Sequence, residues 1–265
     1  MRFATAILAV FVLTGAAQAQ TPTPAADAVT VRTLTLVSAS LPQAVLQRIV
    51  QLLQGGTYAP DELAERVRQN LRDHGYYNAR VESPQLTAMR ESPRSADVSI
   101  HVEPGALYTL GEIEFQGATV FPSNRLRQQF PAQTGALFNA TSIGKGLECL
   151  KDLYVEEGYL NVGTIPKPRI DDARHVFDLT VDIDEGKPFH FGRLVLDGVE
   201  PRAGAGKALL DAWKALQDKR YSRKLLASWL AANTASLPGG ALTLHQVAEF
   251  PDPDSNLVVV KLQFP

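Results

Sequence analysis

Residues 153–170 read LYVEEGYLNVGTIPKPRI, and residues 176–198 read VFDLTVDIDEGKPFHFGRLVLDG. Apolar and polar residues alternate strictly at the start of the second stretch, which predicts a strand with one buried and one hydrated face. The first stretch closes a helical pattern over 142–157, in which apolar residues recur on one face. Glycine suits the left-handed conformation at a helix C-terminus, so Gly158 is predicted to end this helix.

The second stretch repeats an earlier one. Three glycines recur at a constant offset of 81 residues, with matching apolar positions between them: Gly105, Gly111 and Gly117 pair with Gly186, Gly192 and Gly198. A Gly-Tyr step also recurs, at Gly75-Tyr76 and Gly158-Tyr159. These two independent matches have nearly the same offset along the chain. They indicate tandem domains of roughly 80 residues, close to the smallest size that folds alone.

Each repeat follows the order strand, helix, helix, strand, strand, which predicts an α+β fold. The third repeat is more divergent: it lacks the Gly-Tyr step, and its second helix is predicted to end at Asn233 or Gly239. We predict a signal peptide over 1–19, a flexible Pro/Thr/Ala-rich leader over 20–30, and domains over 31–105, 106–187 and 188–265.

The N-terminus has the outline of a secretory signal. Arg2 is followed by an apolar run over 3–13 and by Ala17-Gln18-Ala19, which predicts cleavage before Gln20. The run is shorter than the roughly 20 residues of a membrane-spanning helix, although an uncleaved inner-membrane anchor is the alternative. No later segment is apolar enough to span a membrane. Cys149 is the single cysteine, so an exported chain has no internal disulfide and must rely on core burial.

These features resemble the polypeptide-transport-associated (POTRA) family, found in bacterial outer-membrane assembly factors and related translocation proteins. The resemblance covers about 31–265 and implies three tandem domains, each a three-stranded mixed sheet with two helices on one face. Assembly factors of this family carry a C-terminal β-barrel, and we expect none here because no series of amphipathic strands follows. The motif positions are Gly75, Tyr76, Gly105, Gly117, Gly158, Tyr159, Gly186 and Gly198.

Motifs for catalysis, cofactors or metals are weak, and we expect no such residues. The run Gly204-Ala205-Gly206-Lys207 fails the P-loop spacing, because Pro201 and Ala208 stand where glycine and Ser or Thr are needed. Dense acids over 171–185 leave a calcium site as an alternative to the hydrated face of a strand. The basic run over 219–224 suits a solvated helix end, or contact with lipid headgroups or an acidic partner.

The resemblance implies a non-catalytic scaffold or chaperone-like module in outer-membrane protein assembly or translocation. Such a protein would lie in the periplasm of a didermal bacterium, free or peripheral to the outer membrane. Expected partners are unfolded or nascent outer-membrane proteins, a separate outer-membrane β-barrel, or an assembly-complex subunit. The net charge of -2 gives no overall attraction for nucleic acid. The alternative is a periplasmic enzyme or small-ligand-binding protein on an α+β scaffold.

In this family the second strand lies at the sheet edge, where an extended peptide can add as a further strand. Pro166 and Pro168 lack the N–H that such pairing needs, and Pro84 interrupts the first repeat. The corresponding strand of the third repeat, predicted over 241–250, contains no proline. We therefore predict the main partner-binding site there, at Leu242, Thr243, Leu244, His245, Gln246 and Val247.

Overall fold

The computed structural model describes residues 28–89, 92–202, 204–238, 240, 242 and 246–264. The predicted signal peptide and most of the leader therefore lie outside the described residues. The chain forms two compact units. One comprises the residues up to Val67 together with Val81–Glu103. The other comprises Arg68–Arg80 and the chain from Pro104 onward.

The helices and strands recur in the predicted order. The first repeat contains β1 (Val29–Val37), α1 (Gln43–Leu53), β2 (Thr57–Tyr58), α2 (Pro60–Asp73), β3 (Arg80–Val81), β4 (Gln85–Met89) and β5 (Ser92–Glu103). The second contains β6 (Thr109–Gln116), α3 (Ser123–Arg127), α4 (Ala140–Glu156), β7 (Gly163–Asp171) and β8 (Val176–Asp184). The third contains β9 (His190–Asp197), α5 (Gly204–Trp213), α6 (Arg223–Ala232), β10 (Val247–Asp252) and β11 (Leu257–Gln263).

Each repeat has a mixed sheet with its last long strand in the middle. In the second repeat β8 pairs in parallel with β6 and antiparallel with β7. In the third, β11 pairs in parallel with β9 and antiparallel with β10. In the first, β5 lies between β1 and β4, and the short strands β2 and β3 extend the sheet. The α+β fold predicted from the sequence is confirmed.

The alternation of β8 sorts its side chains between core and solvent. The four apolar residues on its inner face are at most 5% exposed: Phe177, Leu179, Val181 and Ile183. They share one core with Leu126 of α3 and with Leu150 and Tyr154 of α4, so both helices cover the same face of the sheet. The hydrophobic effect thus fixes which face of the strand meets the helices, because a shift by one residue would expose the whole apolar set.

The helices α4 and α6 begin after capping residues and end where the sequence predicts. The Asn139 side chain accepts a hydrogen bond from the Ser142 N–H at 2.7 Å, which satisfies a free donor at the start of α4. Gly158 follows the helix with φ of +85°. In the third repeat the Ser222 hydroxyl caps α6, and Asn233 is its C-terminal cap residue, as predicted.

The third core is built around two tryptophans. The rings of Trp213 and Trp229 meet edge-to-face with centroids 5.0 Å apart. The indole N–H of Trp213 donates to the Gly192 carbonyl at 2.8 Å, and that of Trp229 donates to the Ala212 carbonyl at 3.2 Å. Both polar atoms are therefore satisfied inside an apolar core, which lets large side chains fill the space between α5, α6 and the sheet.

Candidate functional site

Two of the predicted motif glycines, Gly75 and Gly158, form the turns that lead to the first strands of the second and third repeats. The carbonyl of Gly75 accepts a hydrogen bond from the Tyr108 N–H at 2.8 Å, and the carbonyl of Gly158 accepts one from the Phe189 N–H at 2.8 Å. Both positions bring a helix end to the first strand of the following repeat. The six motif glycines share positive φ angles between +63° and +90°: Gly75, Gly105, Gly117, Gly158, Gly186 and Gly198.

Gly158 is required for two reasons. Its φ of +85° is unfavourable for residues with a side chain, and a Cβ atom there would lie 2.7 Å from the Tyr221 carbonyl oxygen. The tyrosine that follows each Gly is buried, since Tyr76 and Tyr159 are each 7% exposed. The local backbone geometry and burial therefore account for these residues.

Glu185 fastens the loop after β6 to the end of β8. Its carboxylate accepts hydrogen bonds from the N–H groups of Thr119 and Val120 at 2.8 and 2.9 Å, from the Tyr154 hydroxyl at 2.8 Å, and from the Thr119 hydroxyl. Partial burial alone would raise the pKa of Glu185, but these bonds hold it below its usual value. The sequence marks Glu185 only as part of an acidic-Gly step, and the first repeat has Pro104 at this position.

β7 is an edge strand whose free side is blocked. It pairs with β8 without a break over Gly163–Asp171. Pro166 and Pro168 cannot donate to β8, and residues two apart point their nitrogens to the same side. Both prolines therefore face the free edge of the second sheet. This edge lacks donors where an added strand would need them, as the sequence predicts.

The corresponding strand of the third repeat begins later than predicted. β10 spans Val247–Asp252, whereas the sequence pattern predicts a strand over 241–250. Among the predicted site residues, Val247 lies in β10, Gln246 immediately precedes it, and Leu242 lies outside any strand. Thr243, Leu244 and His245 lie outside the described residues. Register with β11 sets the bounds, since Val247 pairs with Leu262 and Asp252 with Leu257.

The expectation that this edge strand contains no proline is wrong, because Pro251 lies in β10. Pro251 belongs to an unbroken ladder with β11, so its nitrogen faces the free edge. Val247 and Glu249 have the same parity, and their N–H groups face the free edge as well. They occupy the positions of Pro166 and Pro168, 81 residues earlier. The β10 edge thus keeps two backbone donors that the β7 edge lacks.

An apolar groove of about 540 Å³ runs beside this edge, between α6 and β10. Its walls are lined by Arg223, Leu226, Ala227, Leu230, Leu242, Val247 and Glu249. Leu242 and Val247, two of the predicted site residues, are thus brought together with α6. The sequence predicts the two helical leucines as core residues and does not predict the groove, because its width depends on the distance between helix and strand.

The groove has a charged end. The Arg223 guanidinium lies 3.5 Å from the Glu249 carboxylate. The Tyr221 side chain is fully buried nearby, and its pKa is raised first by burial and then by the Glu249 carboxylate. Apolar walls with one ion pair suit an extended segment of mixed polarity better than a small charged molecule.

The first sheet has an edge of a different kind. β4 pairs with β5 on one side and contains no proline over Gln85–Met89. Pro84 was expected to interrupt this strand, but it lies before β4 begins. The proline pattern alone therefore does not single out the third repeat: free donors distinguish β10 from β7, and the adjoining groove distinguishes it from β4.

The remaining candidates have structural explanations. Cys149 is half-buried on α4. Several acids of the 171–185 region pair with basic side chains: Asp171 with Arg174, Asp178 with Arg169, and Asp182 with Lys167. Among the described residues, no group of three or more His, Cys, Asp or Glu side chains is placed to hold a metal ion. Within the same residues, no helix combines the length and apolar character needed to cross a membrane.

Comparison with known proteins identifies the repeats. A family model described as POTRA, surface antigen variable number repeat, matches residues 29–105 and 108–186, which together make up more than half of the chain. The chain belongs to the POTRA family. Solved POTRA domains share its fold: a crystal structure of POTRA domains 3–5 of Haemophilus influenzae BamA matches with a TM-score of 0.58 at 17% identity, covering 89% of this chain and 97% of that one.

A curated relative matches about half of this chain. A protein of Treponema pallidum (strain Nichols) named putative outer membrane protein assembly factor is 23% identical over 131 residues. The match covers 48% of this chain and 16% of that protein. This chain therefore corresponds to only a small part of that protein. The match does not show that this chain has the function of the whole relative.

Proposed function

We propose that this chain is a non-catalytic periplasmic scaffold in outer-membrane protein assembly, and that it takes extended segments as an added strand on β10. Its partners are unfolded or nascent outer-membrane proteins, or a barrel protein or other subunit of an assembly complex. The name of the Treponema pallidum relative supports the process, and the POTRA fold supports the location. The observation that carries the proposal is the β10 edge, with free donors at Val247 and Glu249 beside an apolar groove.

Strand addition suits outer-membrane substrates for a physical reason. Their strands alternate apolar and polar residues with a period of two. An added strand would bond its backbone to Val247 and Glu249 and turn every second side chain toward the helical side of the sheet. The groove beside α6 lies on that side, since Val247 and Glu249 line it. Backbone pairing would give affinity for many sequences, and the groove would favour apolar residues at alternate positions.

The test replaces the two donors. Val247→Pro combined with Glu249→Pro copies the arrangement of Pro166 and Pro168 in β7, so the fold should persist. Each lost hydrogen bond is worth about 1 kcal/mol, which predicts a loss of roughly 30-fold in affinity. Binding is measured by fluorescence anisotropy, using a synthetic peptide with the alternating pattern of an outer-membrane strand as probe. Circular dichroism verifies folding.

Two control variants separate the contribution of the backbone N–H groups to peptide binding from that of the side chains. Glu249→Ala removes the carboxylate near Arg223 but keeps the N–H, and should retain most of the affinity. Pro166→Val with Pro168→Glu installs donors on β7 and should create a second, weaker site. Unchanged peptide binding by a folded double-proline variant would refute strand addition at β10. Binding that depends only on the Glu249 carboxylate would point to the alternative, a small-ligand-binding protein.

A further inference from the structure

The faces of the three sheets that point away from the helices, called here the outer faces, differ in chemistry. On the third outer face Phe250 pairs directly across the strands with Val259, and Val195 lies one row along. Phe250 is 53% exposed, and the two valines are partly exposed. Three neighbouring apolar side chains on one exposed sheet face are unusual, since outer strand positions are normally polar.

The equivalent positions in the other repeats carry ion pairs. Val259 corresponds to Asp178, which pairs with Arg169 at 2.7 Å, and Arg169 corresponds to Phe250. In the first repeat the position of Val259 is Asp97, whose neighbour on the edge strand β4 is Thr87 and whose ionic partner is Arg32 on β1, on the opposite side. The third repeat alone therefore replaces a cross-strand ion pair with a cross-strand apolar pair. The fold does not require apolar residues there, because two copies of it form with charged ones.

The charges around this apolar patch are arranged asymmetrically. Asp252 lies next to Phe250 on β10, at one side of the patch. His190 and Arg193 lie on β9, at the other side, with Arg193 in a β-bulge opposite Val259. In these two rows one side thus carries Asp252 and Phe250 and the other His190 and Arg193, while Asp197 farther along β9 pairs with Lys261. A surface with this arrangement complements itself when a second copy is turned by a two-fold rotation.

We propose that the outer face of the third sheet is a self-association surface that packs against the same face of a second copy of this chain. The two-fold axis runs parallel to β11, so β10 of one copy lies over β9 of its partner. Phe250 then faces the Arg193 guanidinium of the partner subunit, a favourable cation–π arrangement, and Asp252 faces the partner's His190. Val259 faces its own copy on the axis.

The alternative two-fold axis, perpendicular to the strands, fits worse. Centred on the Phe250–Val259 row, it would place Arg193 against the partner's Arg193, a like-charge contact, and Leu257 against the partner's Lys261. With the axis parallel to β11, Lys261 faces its own copy, but its ammonium group is already neutralised by Asp197 at 2.9 Å. Both axes keep the strand directions of the packed sheets within about 30°, so the facing charges decide between them.

The first test grafts the ion pair of the second repeat onto the third. Phe250→Arg combined with Val259→Asp restores the charge pair found at Arg169 and Asp178, so the variant should fold. Sedimentation velocity of the full chain over a range of concentrations should show a monomer–dimer equilibrium, and the double variant should remain monomeric throughout. Ile165→Asp, at an exposed apolar residue on the second outer face, is the matched control and should dimerise normally.

The second test exploits the self-contact of Val259. Val259→Cys in a Cys149→Ser background should be cross-linked to a dimer by a short bis-maleimide, because facing sheets lie about 10 Å apart, too far for a direct disulfide, and Ile165→Cys in the same background should not. A chain that stays monomeric up to its solubility limit would overturn the proposal. So would dimers of unchanged affinity in the folded double variant, equal cross-linking at both cysteines, or a monomer whose outer face binds phospholipid vesicles instead.

Discussion

Replacing Glu185 tests whether one carboxylate fixes the loop after β6. Glu185→Ala removes the acceptor of four hydrogen bonds, from the two N–H groups of Thr119 and Val120, the Thr119 hydroxyl and the Tyr154 hydroxyl. Tyr154 is fully buried, so no solvent replaces its lost partner. An unsatisfied buried hydroxyl costs about 1–3 kcal/mol.

The loop donors add less, because Thr119 is exposed and Val120 half-buried, and water can reach them. Their share is about 0.5–1 kcal/mol each, for a total of roughly 3 kcal/mol of unfolding free energy. Glu185→Gln keeps the oxygen that accepts from Thr119, Val120 and Tyr154, and loses mainly the charge. We expect a loss of about 1 kcal/mol for that variant.

Urea unfolding followed by circular dichroism measures the loss, and hydrogen exchange at the Thr119 and Val120 amides localises it. Glu148→Ala, an exposed position on α4, is the control and should change stability little. The reasoning fails if Glu185→Ala and Glu185→Gln are equally stable, or if amide exchange at residues 119 and 120 does not accelerate.

The same network predicts a pH dependence. The pKa of Glu185 is lowered in the folded chain, so its contribution is fully present above the unfolded pKa of about 4.3 and is lost as pH falls through the folded value. The stability difference between the natural chain and Glu185→Ala should therefore be largest near neutral pH and shrink in acid. A difference independent of pH from neutral down through that range would contradict an ionised Glu185.

Two further predictions concern the turn at Gly158 and the hydrogen bonds at the start of α4. Gly158→Ala should destabilise by clearly more than Gly55→Ala in thermal unfolding: both have φ of +85°, costing about 1 kcal/mol, but only at Gly158 would Cβ meet a carbonyl oxygen, at 2.7 Å. Equal losses of stability in the two variants would show that small shifts relieve the close approach of Cβ to the carbonyl oxygen. Asp73→Ala should cost about 1 kcal/mol and speed amide exchange at Thr141, because the Asp73 carboxylate accepts from the Thr141 N–H and hydroxyl, both at 2.8 Å. Unchanged exchange there would show that Asp73 does not stabilise the start of α4, where Asn139 is the capping residue.

Most of the fold could be predicted from local patterns. The alternation of β8 and the helical spacing of α4 each have one dominant period, and Gly158 supplies a left-handed helix end. These signals are local, so neighbouring residues alone suffice to recognise them. The two-residue strand β2 has no such signal, because it exists only through pairing with β1.

The candidate site was harder to predict because its features depend on register. The alternating residues over 241–250 suggested a strand, but pairing with β11 starts it at Val247. Pro251 lies inside β10 because at an edge its nitrogen faces solvent and no ladder hydrogen bond is lost. The groove depends on the spacing of α6 and β10, and the apolar outer face becomes apparent only when Phe250 and Val259 are known to lie side by side.

The turns at Gly75 and Gly158 make the array tolerant of changes in its length. In each turn the glycine carbonyl accepts a hydrogen bond from an equivalent N–H of the next repeat: Gly75 from Tyr108, and Gly158 from Phe189. A deletion of residues 106–186 would place Phe189 where Tyr108 now stands, with the acceptor at Gly75 unchanged. Gene duplication or loss in steps of one whole repeat would therefore leave every such connection intact, whereas insertions of any other length would not.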